Sequence, residues 1–167
     1  QIKPVYKNAL LDIYDFFEKK IKLLRTKGIK HNNIIIDPGI GFGKKLKHNM
    51  NLIKDISIFH TLGFPILVGV SKKRFIKEIA GINDTENRTG GTVASSLYLA
   101  SQGVQILRIH DVKELMQSIK IFKQRIVVDN LLFKKKVWQL KLNVLRKRMV
   151  IMRILVKPFH HLDGLTT

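Results

Sequence analysis

The chain has no cysteine, four prolines, one tryptophan and few carboxylates. Without thiols it forms no disulfide and offers no thiol nucleophile, and a reducing cytoplasm is the compartment that fits best. No apolar run approaches the roughly 18 residues that span a bilayer, so no membrane-spanning helix is expected. Gly/Ser/Pro-rich linkers and internal repeats are also missing. The opening residues Gln1-Ile2-Lys3-Pro4 include neither a starting Met nor a signal-peptide core. A chain that begins partway through a longer protein is therefore expected.

Acidic residues number 12 against 31 Lys and Arg, for a net charge of +19. Such a surplus invites a nucleic-acid reading. The make-up of the surplus weakens it. The 31 cations are 23 Lys and 8 Arg, beside 22 Ile and 9 Asn. Codons for Lys, Ile and Asn are AT-rich, so genome bias gives this composition without a polyanionic partner. Net charge speaks to solubility and non-specific binding rather than to a site.

What is present is a rhythm. A length of 167 residues suits one domain with a moderate core. Leu10, Ile13, Tyr14, Phe17, Ile21 and Leu24 share one helix face, predicting a helix over 8–27 capped by Gly28. Ile34-Ile35-Ile36 predicts a strand buried on both faces. A helix follows, striped by Leu52, Ile53, Ile56 and Phe59 and stopped by Gly63. Ile66-Leu67-Val68 is a second strand, and a short helix covers 73–80. Residues 83–91 are expected to be a loop. Thr92–Gln102 is expected to be a helix, with Val93, Leu97 and Ala100 inward. Val104–Ile109 is a third strand and 112–124 a last helix.

Strands alternating with helices predict an α/β fold with a parallel sheet. Composition shifts near residue 125, which divides the chain into a first unit, 1–124, and a basic extension, 125–167. That extension carries 10 basic and 2 acidic residues. Trp138, Leu142, Leu145, Met149, Met152 and Val156 keep a helical repeat there. The extension is expected to be helical or disordered, with a membrane-surface or partner-binding amphipathic helix as the sharper alternative.

Chemistry gathers at the strand ends, where parallel α/β folds bind ligands. Asp37-Pro38-Gly39-Ile40-Gly41-Phe42-Gly43-Lys44 follows the first strand. Gly69, Ser71, Lys72, Lys73 and Arg74 follow the second. Arg108, His110 and Asp111 end the third. One carboxylate facing several cations suits a two-part ligand. An anionic part, such as a phosphate or pyrophosphate, would meet Arg108 and His110. A heterocyclic edge rich in N–H donors would pair with Asp37 as an Arg fork pairs with a carboxylate.

Plainer readings stand beside these. Asp before Pro-Gly is commonly a turn former. Ser71-Lys72-Lys73-Arg74 could be a solvated helix start, although three cations at a helix N-terminus oppose the macrodipole and ask for an anion nearby. His110 could be a surface histidine, and Phe42 could pack on its own fold. The glycines at 39, 41 and 43 do not match the dinucleotide fingerprint, and Lys45 stands where a P-loop needs a hydroxyl. No His/Asp/Glu grouping has metal-ligand spacing.

Three segments in this order resemble dihydropteroate synthase. They are Asp37–Lys44, then Val68-Gly69-Val70-Ser71-Lys72-Lys73, then Leu107-Arg108-Ile109-His110-Asp111-Val112. The resemblance covers about residues 1–124 and implies the C-terminal portion of a (β/α)8 TIM barrel, with the first five strands outside this chain. It implies a transferase of folate biosynthesis. Such an enzyme joins 6-hydroxymethyl-7,8-dihydropterin diphosphate to 4-aminobenzoate and releases pyrophosphate.

By this resemblance Asp37 would bind the pterin edge, and Gly41, Phe42 and Gly69 would line the pterin slot. Lys73 would bond the pterin ring and face the aminobenzoate. Arg108 would stack on the pterin and, with His110, hold the diphosphate. Lys73, Arg108 and His110 would be catalytic. Mg2+ is implied as a cofactor, with its protein ligand outside this chain, and a homodimer is implied as the assembly. One departure is visible: Ser71-Lys72-Lys73 stands where the family has Ser-Arg-Lys, so a planar fork is lost.

Two other functions remain open at this stage. Another pterin-binding barrel, such as a methyltransferase, would not need the paired cations. A nucleic-acid-binding protein would use 125–167, but only Phe133, Trp138 and Phe159 could stack there.

Overall fold

The computed structural model of this chain describes residues 6–128 and 150–153. Helix α1 (Ala9–Thr26) starts where the Asn8 side chain accepts the backbone N–H groups of Leu10 and Leu11. It ends at a turn in which Ile29 N–H returns to the Leu24 carbonyl, and Arg25 Nη1 donates to the Ile29 carbonyl at 2.7 Å. Strand β1 (Ile34–Asp37) follows, and all four of its residues are buried.

Helix α2 (Leu46–Lys54) and a 3₁₀ helix, Ile56–Leu62, then lead to strand β2 (Leu67–Val68). Helix α3 (Arg74–Ala80), helix α4 (Thr89–Ser101), strand β3 (Ile106–Leu107) and helix α5 (Val112–Val128) complete the alternation. Strand β4 (Val150–Arg153) comes last.

Every strand pairing is parallel. β1 pairs with β4 and β2 with β3, and a single bridge, Ile36–Ile66, joins the two ladders. The spatial order is thus β4-β1-β2-β3, and all C-terminal ends point to one rim. The core packs α1 and the 3₁₀ helix onto the strands. Phe17 and Phe59 are fully buried and meet edge to face at 5.7 Å. Ile13, Ile34, Ile36, Leu52, Ile66 and Val68 pack in the same cluster. No helix among the described residues is long and apolar enough to cross a membrane.

The α/β alternation agrees with the expectation, and five details differ. The single helix expected before Gly63 breaks at Asp55. Beyond it, Ile56, Phe59 and Leu62 recur every third residue, the repeat that a 3₁₀ helix places on one face. The expected loop 83–91 contains a 3₁₀ turn, Glu86–Arg88, and α4 already begins at Thr89. Inside that helix Gly91 faces Ile76 of α3, where a Cβ would collide with Ile76 Cγ2, so the close approach of α3 and α4 uses a glycine.

The inward face of α4 is Thr92, Ser96, Leu99 and Ala100, and Val93 and Leu97 are half-buried. β3 is half-buried rather than covered on both faces. Finally, Met152 lies in a strand and not in a helix: Ile34–Asp37 offers an open parallel edge, and the β-favouring run Val150-Ile151 fills it. The helical repeat at Trp138, Leu142, Leu145, Met149 and Val156 lies outside the described residues.

Candidate active site at the C-terminal rim

The strand rim carries a cavity of about 430 Å³ lined by Gly69, Ser71, Lys73, Arg108, Ile109 and His110. Two strand ends build it. Arg108 N–H donates to the Val68 carbonyl at 2.9 Å, which locks the end of β3 beside the end of β2. Gly69 faces Arg108 so closely that a Cβ would lie 3.3 Å from Nε and Nη2. Any side chain at 69 would press on the guanidinium. Three cationic or ionisable groups thus share one lining with little carboxylate to balance them.

The glycine loop after β1 forms the adjoining wall. Asp37 is only 2% exposed. Its Oδ1 accepts Gly39 N–H at 2.9 Å, so the plainer turn-forming reading of Asp37 holds for that oxygen. Gly41 has φ +80°, and a Cβ there would lie 3.0 Å from Lys73 Cδ. Both facts require glycine at 41. The Lys73 ammonium then rests 3.9 Å from the centre of the Phe42 ring, within cation–π range. Asp37 does not line the cavity; it stands on the same rim, one strand away, and Gly41 and Phe42 of its loop touch Lys73, which does line it.

Two residues hold that loop from behind. Asn49, buried on α2, accepts Gly41 N–H at 2.8 Å through Oδ1 and donates from Nδ2 to the carbonyls of Lys44 and Lys45. Lys44 Nζ donates to the Gly39 and Phe42 carbonyls at 2.9 and 3.2 Å. Burial pushes the Lys44 ammonium down from 10.5 to about 8, against the pull of Asp37. Lys44 therefore staples the loop and is not a ligand-facing cation.

The run of cations after β2 divides by destination. Lys72 Nζ pairs with Glu86 at 2.6 Å and with Asp111 at 3.5 Å. The Glu86 hydrogen bond is the main reason its pKa is raised. Arg74 pairs with Glu78 one turn along α3, at 2.6 Å. Glu86, Asp111 and Glu78, carboxylates of the chain itself, thus answer two of the three cations that asked for an anion. Lys73 alone of the three lines the cavity. Asp111 also turns from the cavity, accepting the Thr89 hydroxyl at 3.0 Å.

Between these neighbours, Lys72 adopts φ +54°, a left-handed conformation uncommon outside glycine. Its backbone is clamped on both sides. Lys72 N–H donates to Thr92 Oγ1 at 2.9 Å, and its carbonyl accepts Arg88 Nη1 at 3.1 Å. Arg88 is buried and also donates to the carbonyls of Ile82 and Asn83. Such strain persists where the surroundings over-determine it, often at binding sites. The reversal at 72 separates Ser71, bonded to His110, from Lys73, stacked on Phe42.

Sequence reasoning missed Asn49, Arg88 and Thr92. None had a local signal: each acts across a gap of 8 to 20 residues. Among the described residues no group of three or more His, Asp or Glu could hold a metal ion. A second cleft, about 370 Å³ between α4 and α5, is lined by Leu97, Gln117, Ser118, Ile121 and Phe122 and holds no charged group.

A family model described as pterin binding enzyme matches residues 1–110. A dihydropteroate synthase of Streptococcus pyogenes serotype M6 is 37% identical over 125 residues, 74% of this chain and 47% of that protein. Dihydropteroate synthase structures from Thermus thermophilus, one with 4-aminobenzoate and one with 6HMPPP, are 33% identical. They superpose with a TM-score of 0.68 over 72% of this chain and 46–47% of theirs. The Xanthomonas albilineans dihydropteroate synthase bound to 7,8-dihydropteroate is 32% identical, with a TM-score of 0.72 over 78% of this chain and 48% of that one. This chain spans about half the length of the relatives it matches. With its loop, its cation-lined cavity and two-thirds of its length in register with one family model, the chain belongs to the pterin binding enzymes.

Proposed function

We propose that this chain carries the pterin and diphosphate half of a dihydropteroate synthase site. The complete reaction joins dihydropterin diphosphate to 4-aminobenzoate and releases pyrophosphate. Support comes from the ligands of similar enzymes, 6HMPPP, 4-aminobenzoate and 7,8-dihydropteroate, and from the cavity itself. The observation that carries the proposal is that Lys73, Arg108 and His110 line one cavity at the rim.

Arg108 and His110 take the diphosphate, Arg108 also lying along the pterin. The pterin occupies the slot by Gly41, Phe42 and Gly69, with its N–H edge on Asp37. Lys73 bonds the pterin ring from the aminobenzoate side. Breaking the C–O bond leaves positive charge on the pterin methylene and negative charge on the departing pyrophosphate. Cations already placed on the anion stabilise that separation. The aminobenzoate nitrogen then attacks the methylene, and orientation replaces a protein nucleophile. The described residues offer no cluster for the Mg2+ that the resemblance implies, and no step here uses one. A homodimer and a cytoplasmic location are part of the same proposal.

Asp37→Asn is the discriminating variant. An amide oxygen still accepts Gly39 N–H, so the turn survives, but the charge that pairs with the pterin edge is lost. Titrating a fluorescent dihydropterin analogue is expected to show affinity falling by about tenfold or more, with an unchanged circular dichroism spectrum. Equal affinity for both proteins overturns the assignment of Asp37.

A further inference from the structure

Ser71 is buried at 6% exposure, and the roles proposed above leave it without a task. Its hydroxyl oxygen touches one residue twice. Oγ lies 2.8 Å from His110 Nδ1 and 3.2 Å from the His110 backbone nitrogen. A serine hydroxyl has one proton and two lone pairs. The backbone N–H can only donate, so Oγ accepts it. Either atom of the Oγ–Nδ1 contact could donate, and with Ser71 as the donor Nδ1 accepts the hydroxyl proton. The proton of a neutral imidazole then sits on Nε2.

We propose that Ser71 is a positioning residue that fixes the ring plane and tautomer of His110. The cavity is thereby offered an Nε2–H donor for an anionic oxygen. Two bonds from one atom to the backbone and ring of the same histidine restrain its side-chain torsions. Ser71 can act so because its own place is set independently. The next residue, Lys72, is pinned by Thr92 Oγ1 and Arg88. If the ring takes up a second proton, Oγ has a lone pair left to accept Nδ1–H, and the ring keeps its direction. The diphosphate assignment of His110 underlies this inference, which names the group that makes the assignment work.

The test combines ring spectroscopy with a mutant cycle. In the unaltered chain, long-range ¹⁵N–¹H spectra at high pH are expected to show neutral His110 with its proton on Nε2 and Nδ1 accepting a hydrogen bond. A proton on Nδ1 overturns the proposal with no variant needed. Titration with inorganic pyrophosphate follows, using Ser71→Ala, Ser71→Thr, His110→Ala and Ser71→Ala/His110→Ala. Ser71→Ala is expected to lose affinity by about tenfold and Ser71→Thr to recover most of it. The double variant is expected to bind no worse than His110→Ala, because Ser71 acts only through the ring.

Additive losses, or no loss in Ser71→Ala, overturn positioning while a loss in His110→Ala keeps the diphosphate reading. Unchanged binding in His110→Ala defeats both.

Discussion

Lys44 belongs to the glycine loop by sequence but to the scaffold by geometry. Its ammonium is taken up by two loop carbonyls, and burial lowers its pKa from 10.5 to about 8. Below about pH 8 the folded and unfolded chains both hold this proton. Between about 8 and 10.5 the unfolded chain binds it and the folded chain does not, so stability rises with pH across that window. The gain is at most roughly 3 kcal/mol. Urea unfolding of the parent and of Lys44→Gln at pH 7, 8, 9 and 10 is expected to show a positive slope for the parent, relative to the variant. Parallel curves contradict it. Ser96 is a second residue-scale case. It is fully buried on α4, and among the described residues its Oγ has no hydrogen-bond partner. Ser96→Ala removes an unsatisfied hydroxyl and is expected to leave stability unchanged or raise it by about 1 kcal/mol. A melting midpoint several degrees lower refutes that.

Elements were legible in the sequence where one physical signal governed them. The α1 stripe, with Gly28 after it, marks that helix almost to the residue. Ile34-Ile35-Ile36 is apolar throughout, and it is a fully buried strand with a parallel neighbour at each edge. Legibility failed where a tertiary contact overrode local preference. Gly90 and Gly91 speak for a loop, yet they lie in α4, where the missing side chain at 91 lets Ile76 of α3 approach. Thr92 is polar and faces inward because Lys72 needs its oxygen. At the site, Lys73, Arg108 and His110 were legible because adjacent strand ends carry them to one rim. The separate fates of Lys72 and Arg74 were not, since their acidic partners lie on other elements or a helical turn away. Packing of α1 supports the strands beneath that rim. Phe17→Ala deletes a ring that meets Phe59 and Phe16 and is expected to cost about 3–5 kcal/mol. Chemical denaturation measures it, and a cost below about 1 kcal/mol shows that α1 does not carry the core.

At the scale of the whole molecule, β4 pairs with the outer edge of β1, and the described strands still end in two open edges, on β4 and β3. They do not close a barrel, and the chain spans about half of its relatives. Little or no synthase turnover is therefore expected from this polypeptide by itself. Its charge of +19 also means that any anion binds somewhere. The proposed anion site is one particular place, the cavity where Lys73, Arg108 and His110 meet. Calorimetric titration of pyrophosphate at about 0.15 M salt, where exposed charges are screened beyond roughly 8 Å, tests that claim most directly. Arg108→Ala is expected to weaken binding by about tenfold or more, and Arg74→Ala, whose side chain pairs with Glu78 on the surface, by less than about twofold. Equal losses in the two variants would contradict the account.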